Sequence, residues 1–240
     1  MTTTPAPGRG WVYEHIVAAI PGVTISPRRA IALQFVGFEA VVLALVALYG
    51  LPTAAAVAGT AAVVVATAGS AAMVAIASAV RSAEPHPAYE RLLFGSNVEV
   101  VLGVFSYAGL STYLLLGATG ASLGLFERVL GPNPPAPAVF VAFLLAWDVC
   151  YRIGVGWWAS VVGCWRSLSG RFDPENAGAL RRADSITIGF AVGQLVLVPV
   201  VASAPLLALA VLGHVAAVTV VSGASLAALR WRKISRPESP

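Results

Sequence analysis

The chain has 240 residues, of which 58% are hydrophobic and only 11% charged, with a formal net charge of +4. Its mean hydropathy is +0.82. A soluble domain of this size carries about 25% charge, so the composition excludes an ordinary water-soluble globule and points to a polytopic membrane protein. Lys233 is the only lysine. The arginines flank apolar runs instead of forming one patch, so nucleic acid is not an expected partner.

Residues 1–10 show no apolar periodicity and are expected to lack regular structure. No cleavable signal peptide is expected, because the first long apolar run starts only after Arg29. Between residues 11 and 20, Trp11, Val12, Ile16, Val17 and Ile20 share one helical face, the spacing of a short helix lying in the membrane interface. Pro21-Gly22 would stop it. Ser26-Pro27 is a cap followed by a proline suited to the first helical position. It predicts a first span over residues 28–49, with Glu39 near its centre. After a turn at Leu51-Pro52, a second span is predicted over 53–80. Ala58, Ala62, Ala66 and Ser70 recur along it every four residues, a spacing that lets a neighbouring helix approach closely. Residues 81–97, with His86, Tyr89 and Glu90, read as a polar connector. The third span is predicted over 98–118, with Glu99 near its start. Residues 119–137 form a Gly/Pro-rich loop with a short interfacial helix near 123–129.

The fourth span, residues 138–165, carries Asp148 and Arg152 four residues apart, on one helical face and able to pair. Cys150 and Cys164 lie about 21 Å apart along the same helix, too far for a disulfide. Residues 166–184 read as a second polar connector, in which Asp173-Pro174-Glu175 is a helix-start signal. It leads into a fifth span over 185–202, with a kink expected at Pro199. The sixth span covers 206–229 and contains His214. The domain plan is a tail with an interfacial helix (1–27), a six-helix transmembrane domain (28–230) and a basic cytoplasmic tail (231–240).

Of the 15 lysines and arginines, only Arg128 falls on the far side of this plan and only Arg152 inside a span. The bias puts both termini and both long connectors in the cytoplasm. Trp157, Trp158 and Trp165 then fall at the inner end of the fourth span, where an aromatic belt is expected. The predicted fold class is therefore all-α: a polytopic transmembrane bundle of six spans with both termini cytoplasmic. The expected location is the plasma membrane.

Spacing estimates depth. Glu39 and Asp148 each lie about 15 Å into a hydrocarbon core about 30 Å thick, and His214 lies about 13 Å from the opposite side. Glu99 is shallow on the inner side, within expected reach of Arg152. Glu39, Glu99, Asp148, Arg152 and His214 thus make a candidate polar cluster drawn from four spans, with Gln34, Gln194 and Tyr151 near it. Each charge would cost about 2.5–3.5 kcal/mol at the centre of a lipid-exposed helix, so these groups are expected to face protein or trapped water. Three carboxylates against one guanidinium leave an excess of negative charge, so at least one acid, Glu39 first among them, is expected to hold its proton, while Arg152 keeps Asp148 ionised. Gly154 and Gly156 fit either a tight helix crossing or a hinge, with the crossing as the leading expectation.

The chain contains no HExxH, GxSxG or Walker sequence, and no GxGxxG after a strand, so no catalytic motif is found and an intramembrane enzyme ranks third among the readings. No cofactor or metal is expected either: the two thiols lack clustered His or acidic ligands. The leading functional expectation is a small transporter or channel whose path is lined by the polar cluster, with an ion or small polar solute as cargo. The alternative is a non-catalytic membrane scaffold or complex subunit, bound to a protein partner or a second copy, in which Asp148–Arg152 fixes packing. Partners common to both are the lipids of the bilayer.

Over WDVCYRIGVGWWASVVGCWRSL (147–168), YERLLFGSNVEVVLG (89–103) and the arginine-heavy connectors, the chain resembles uncharacterised six-span integral membrane proteins of halophilic archaea. That resemblance implies an archaeal plasma membrane. It carries no assigned activity and no assigned site residues.

Overall fold

The computed structural model describes residue 11 and residues 25–116 and 124–234. Among these residues the chain is helical, with no strand. The helices are α1 (Pro27–Tyr49), α2 (Thr53–Ser82), α3 (Pro87–Gly95), α4 (Val98–Leu116), α5 (Leu125–Leu130), α6 (Ala136–Ser169), α7 (Ala177–Gly193), α8 (Val198–Val201) and α9 (Pro205–Ile234). Six segments are long and apolar enough to cross a membrane: Pro27–Tyr49, Thr53–Ser82, Pro87–Leu116, Ala136–Ser169, Ala177–Val201 and Pro205–Trp231. The predicted interfacial helix at 11–20 lies outside the described residues except for Trp11, which is buried edge-on against Phe94.

The first helix begins as its sequence dictates. Ser26 Oγ accepts from the Arg29 N–H at 3.4 Å, and Pro27 occupies the first turn. It ends at Gly50, whose φ of 59° places the cap in the left-handed region that glycine adopts without strain. α5 falls where a short helix was expected in the Gly/Pro-rich loop.

Two predicted connectors are largely helix. Residues 81–97 are the end of α2 followed by α3, whose first turn is capped by His86: its Nδ1 accepts from the Ala88 N–H at 3.2 Å. Tyr89, Leu93 and Phe94 sit at helical spacing and bury one face of α3. The chain then breaks at Asn97, which adopts φ 56°, before α4 starts. The 166–184 connector is likewise short. α6 continues to Ser169 and α7 begins at Ala177, eight residues before the predicted start of the fifth span. Past Gly193 the coil tightens to a 3-10 turn over Gln194–Leu197 and resumes as α8. Pro199 lacks an N–H, and its ring crowds the carbonyl four residues back, at Leu195. The expected kink is thus realised as the 3-10 turn ahead of the proline.

α6 is the axis of the bundle. At about 51 Å for 34 residues it exceeds a 30 Å hydrocarbon core. α4, α9, α2 and α7 pack along it, and α3 caps one end while α5 lies against α2 at the other. The α4–α6 crossing is set by glycine. A Cβ on Gly154 would lie 3.0 Å from Gly103 N, and one on Gly103 would lie 3.1 Å from Tyr151 Cα. Close backbone approach of this kind is how helices gain packing energy where surrounding lipid is as apolar as the side chains. The four-residue stripe on α2 is buried only at Ala66 and Ser70. The tightest contacts of α2 are instead its glycines: Gly59 meets Val42 of α1, and Gly69 meets the Arg152 stem and Phe190.

α1 is peripheral. Only 6% of its most apolar stretch is buried, at a mean hydropathy of 2.3. Leu33, Val36 and Leu48 point away from the protein. A helix whose outward faces are apolar and exposed, with Gln34 and Glu39 turned toward the bundle, suits a hydrocarbon surrounding, not water.

Candidate functional site

Asp148 and Arg152 meet as their spacing predicts. Arg152 Nε donates to Asp148 Oδ1 at 3.0 Å, and Nη2 lies 2.9 Å from the same oxygen. The other carboxylate oxygen, Oδ2, accepts from Gln34 Nε2 of α1 at 2.9 Å. Gln34 Oε1 in turn accepts from Ser70 Oγ of α2 at 2.8 Å. Arg152 Nη1 points at Met73 Sδ, 3.0 Å away. The stem of Arg152 is held against α2 because Gly69 has no side chain: a Cβ there would sit 2.7 Å from Arg152 Cγ. The result is a closed polar staple across α1, α2 and α6 in which both carboxylate oxygens have protein donors.

The other three residues of the predicted cluster do not join it. Glu39 Oε1 accepts from Thr60 Oγ1 at 2.7 Å, a separate α1–α2 link, and its Oε2 is buried with no hydrogen-bond partner among the described residues. Glu99 is fully buried at the start of α4, and neither carboxylate oxygen has a partner there. Arg152, expected within its reach, turns toward Asp148 and Met73 instead. His214 faces a cavity, with its ring 6.4 Å from Trp157 and its Nε2 unpartnered among the described residues. Of the three flanking residues named with the cluster, Gln34 belongs to the staple, while Gln194 lies at the cavity. Tyr151 faces α4 at Gly103.

Thr60→Val keeps the shape of Thr60 and removes the one hydroxyl that serves Glu39. It is expected to cost about 1–3 kcal/mol, read as a lower melting temperature in detergent. An unchanged melting temperature would mean that solvent or lipid headgroups reach Glu39.

A second network, at the α3 end, is absent from the sequence-based cluster. Arg166, expected to open a polar connector, lies within α6 and is fully buried. Its Nη2 donates to Asp184 Oδ2 at 2.8 Å, and Nη1 donates to the Tyr89 hydroxyl at 3.1 Å. The guanidinium also lies over the Tyr89 ring, 4.9 Å from the centroid. Ser225 Oγ of α9 lies 2.7 Å from Asp184 Oδ2 and 2.8 Å from Ser167 Oγ. Gly163 makes room for the carboxylate, since a Cβ there would fall 2.9 Å from Asp184 Oδ1. Four elements, α3, α6, α7 and α9, therefore converge on one guanidinium. The pair was hidden because a charge at a span end reads first as a topology signal.

The cavity beside His214 has a volume of about 610 Å³. Its walls are almost wholly apolar, and no Asp, Glu, Lys or Arg lines it among the described residues. Asp148, Arg152, Glu39 and Glu99 are not part of its lining. No three His, Cys, Asp or Glu side chains group as metal ligands among the described residues.

The architecture defines a helical bundle with six membrane-length apolar segments, tied internally by a buried ion pair, Arg166–Asp184, and a part-buried one, Asp148–Arg152. The chain belongs to a family of unknown function (DUF7530), which matches residues 6–225. No curated protein and no solved structure matches it.

Proposed function

We propose that the chain is a non-catalytic, multi-pass protein of the plasma membrane, with both termini cytoplasmic, serving as a scaffold or complex subunit. In this reading Asp148–Arg152 fixes helix packing and does not line an ion path. The observation that carries it is the closure of the staple. Both Asp148 oxygens are taken by Gln34 and Arg152, the Arg152 stem is pressed against Gly69, and the nearby cavity bypasses the pair. A group that relays ions needs a coordination position facing water, and here the side chains of Arg152 and Asp148 are only 5% and 13% exposed, with both carboxylate oxygens already paired. The arginine asymmetry supports the orientation, and the resemblance to halophilic archaeal membrane proteins supports an archaeal plasma membrane.

A transporter or channel is the second reading. It draws on Glu99, a fully buried carboxyl with no partner among the described residues, since ionisable groups within membranes commonly mark pathways.

Proton and ion flux into proteoliposomes, with wild type beside Asp148→Asn and thermal melting of both, separates the two. The packing role predicts no flux above empty vesicles from folded protein. It also predicts a loss of about 3 kcal/mol or more in the variant, because Arg152 is left buried without its counter-charge. Wild-type flux abolished by the substitution at unchanged melting temperature would overturn the proposal.

A further inference from the structure

The cavity contains one feature that apolar packing does not explain. Gln194 is 1% exposed and lines the cavity, yet neither its Oε1 nor its Nε2 has a hydrogen-bond partner among the described residues. A buried amide is normally satisfied, and leaving both ends unpaired in apolar surroundings is costly. Gln194 is the first residue of the 3-10 turn that follows α7. His214 of α9 adds a second unpartnered polar atom to the same cavity, Nε2. Gln194 and His214 thus add unpartnered polar atoms to a chamber whose other polar lining is Ser106, Tyr113 and Cys150. That is the make-up of a small-molecule site, apolar walls with a few convergent polar groups, and the volume falls within the usual range of about 300–1,000 Å³.

We propose that this cavity binds a neutral, mostly apolar molecule with a single small oxygen function, a hydroxyl or carbonyl on a long hydrocarbon chain. Its head is held by the Gln194 amide and His214 Nε2 once these side chains turn into the cavity, since both are closed off from it in this structure. The absence of any charged lining residue among the described ones disfavours a phosphate or carboxylate head, which would be buried without a counter-charge. An amide offers both a donor and an acceptor, so it matches either a hydroxyl or a carbonyl. Entry is from the bilayer. Phe105 of α4 and Leu206 of α9 line the cavity and are also 72% and 63% exposed, so its wall reaches the lipid-facing surface. This inference is independent of the role given to Asp148–Arg152.

The test uses the full chain in vesicles of neutral phospholipid, with a photoreactive diazirine derivative of hexadecan-1-ol as probe and the matching diazirine alkane as control. Saturable labelling of cavity residues by the alcohol is expected. Unlabelled hexadecan-1-ol should compete about tenfold better than hexadecane, the order expected for one added hydrogen bond in a dry site. Gln194→Leu, of similar size, should weaken alcohol labelling about tenfold and leave alkane labelling unchanged. Gly109 lines the cavity, and nothing lies within 4 Å of a Cβ placed on it, so Gly109→Phe should block both probes without disturbing the fold. Equal competition by alcohol and alkane would mean that bilayer chains fill the space without recognition, and would overturn the proposal. Non-saturable labelling of the wild type would overturn it as well. The competition requires no variant, so the proposal stays testable even if Gln194→Leu fails to fold.

Discussion

Asp184→Ala is expected to cost about 3–5 kcal/mol of stability, the largest single effect in the molecule, because it leaves Arg166 buried and uncompensated. Arg166 is 0% exposed, and water has no ready route to it. The remaining donors and acceptors around it, Tyr89, Ser167 and Ser225, are neutral hydroxyls that orient the guanidinium without balancing its charge. Reversible unfolding in mixed micelles with increasing SDS would measure the loss. The companion experiment is Arg166→Met together with Asp184→Leu. Removing both charges is expected to recover a large part of the stability, since a buried pair often does no better than apolar side chains of similar volume. A loss below about 1 kcal/mol for Asp184→Ala would show that water enters the network.

Gly154→Val is expected to destabilise by about 1–3 kcal/mol or more through overpacking. The atoms that a side chain would meet are backbone: Gly103 N at 3.0 Å and Glu99 O at 3.1 Å. Backbone cannot rotate aside as a side-chain tip can, so α4 would have to move off α6. Gly37→Val on α1 is the control, because a Cβ there meets nothing within 4 Å. Thermal melting of the two variants should separate them clearly. Equal melting temperatures would mean that α4 can slide along α6 without penalty.

The six apolar segments were legible from hydropathy, because each is long and nearly free of charge. Asp148–Arg152 was legible too, since four residues on one helix bring two side chains together whatever the tertiary fold. Arg166 and Asp184 were not. They are 18 residues apart on two helices, and an arginine at the end of an apolar run looks the same whether it reaches for cytoplasm or for a carboxylate. Tyr89 and Ser225 gave no signal of their own: one sat in a polar stretch, the other among small residues. Glu99 and His214 were placed at plausible depths, but depth carries no azimuth. Which way a side chain faces around its helix depends on the glycine contacts that set each crossing, and these appear only in three dimensions.

The Gln34 bridge has a consequence for biosynthesis. Gln34 is made early, while its partner Asp148 lies 114 residues further along the chain. At roughly 5–20 residues per second, the ribosome needs on the order of 6–20 s to supply it. Ser70, only 36 residues away, emerges first and takes the amide oxygen. Of the three helices involved, α1 and α2 can therefore pair before α6 is made. The Gln34 amide N–H is kept for α6, whose arrival closes the pair against the axis of the bundle. The same glutamine that ends as a structural link serves on the way as a place-holder, so the order of synthesis and the order of assembly run in the same direction.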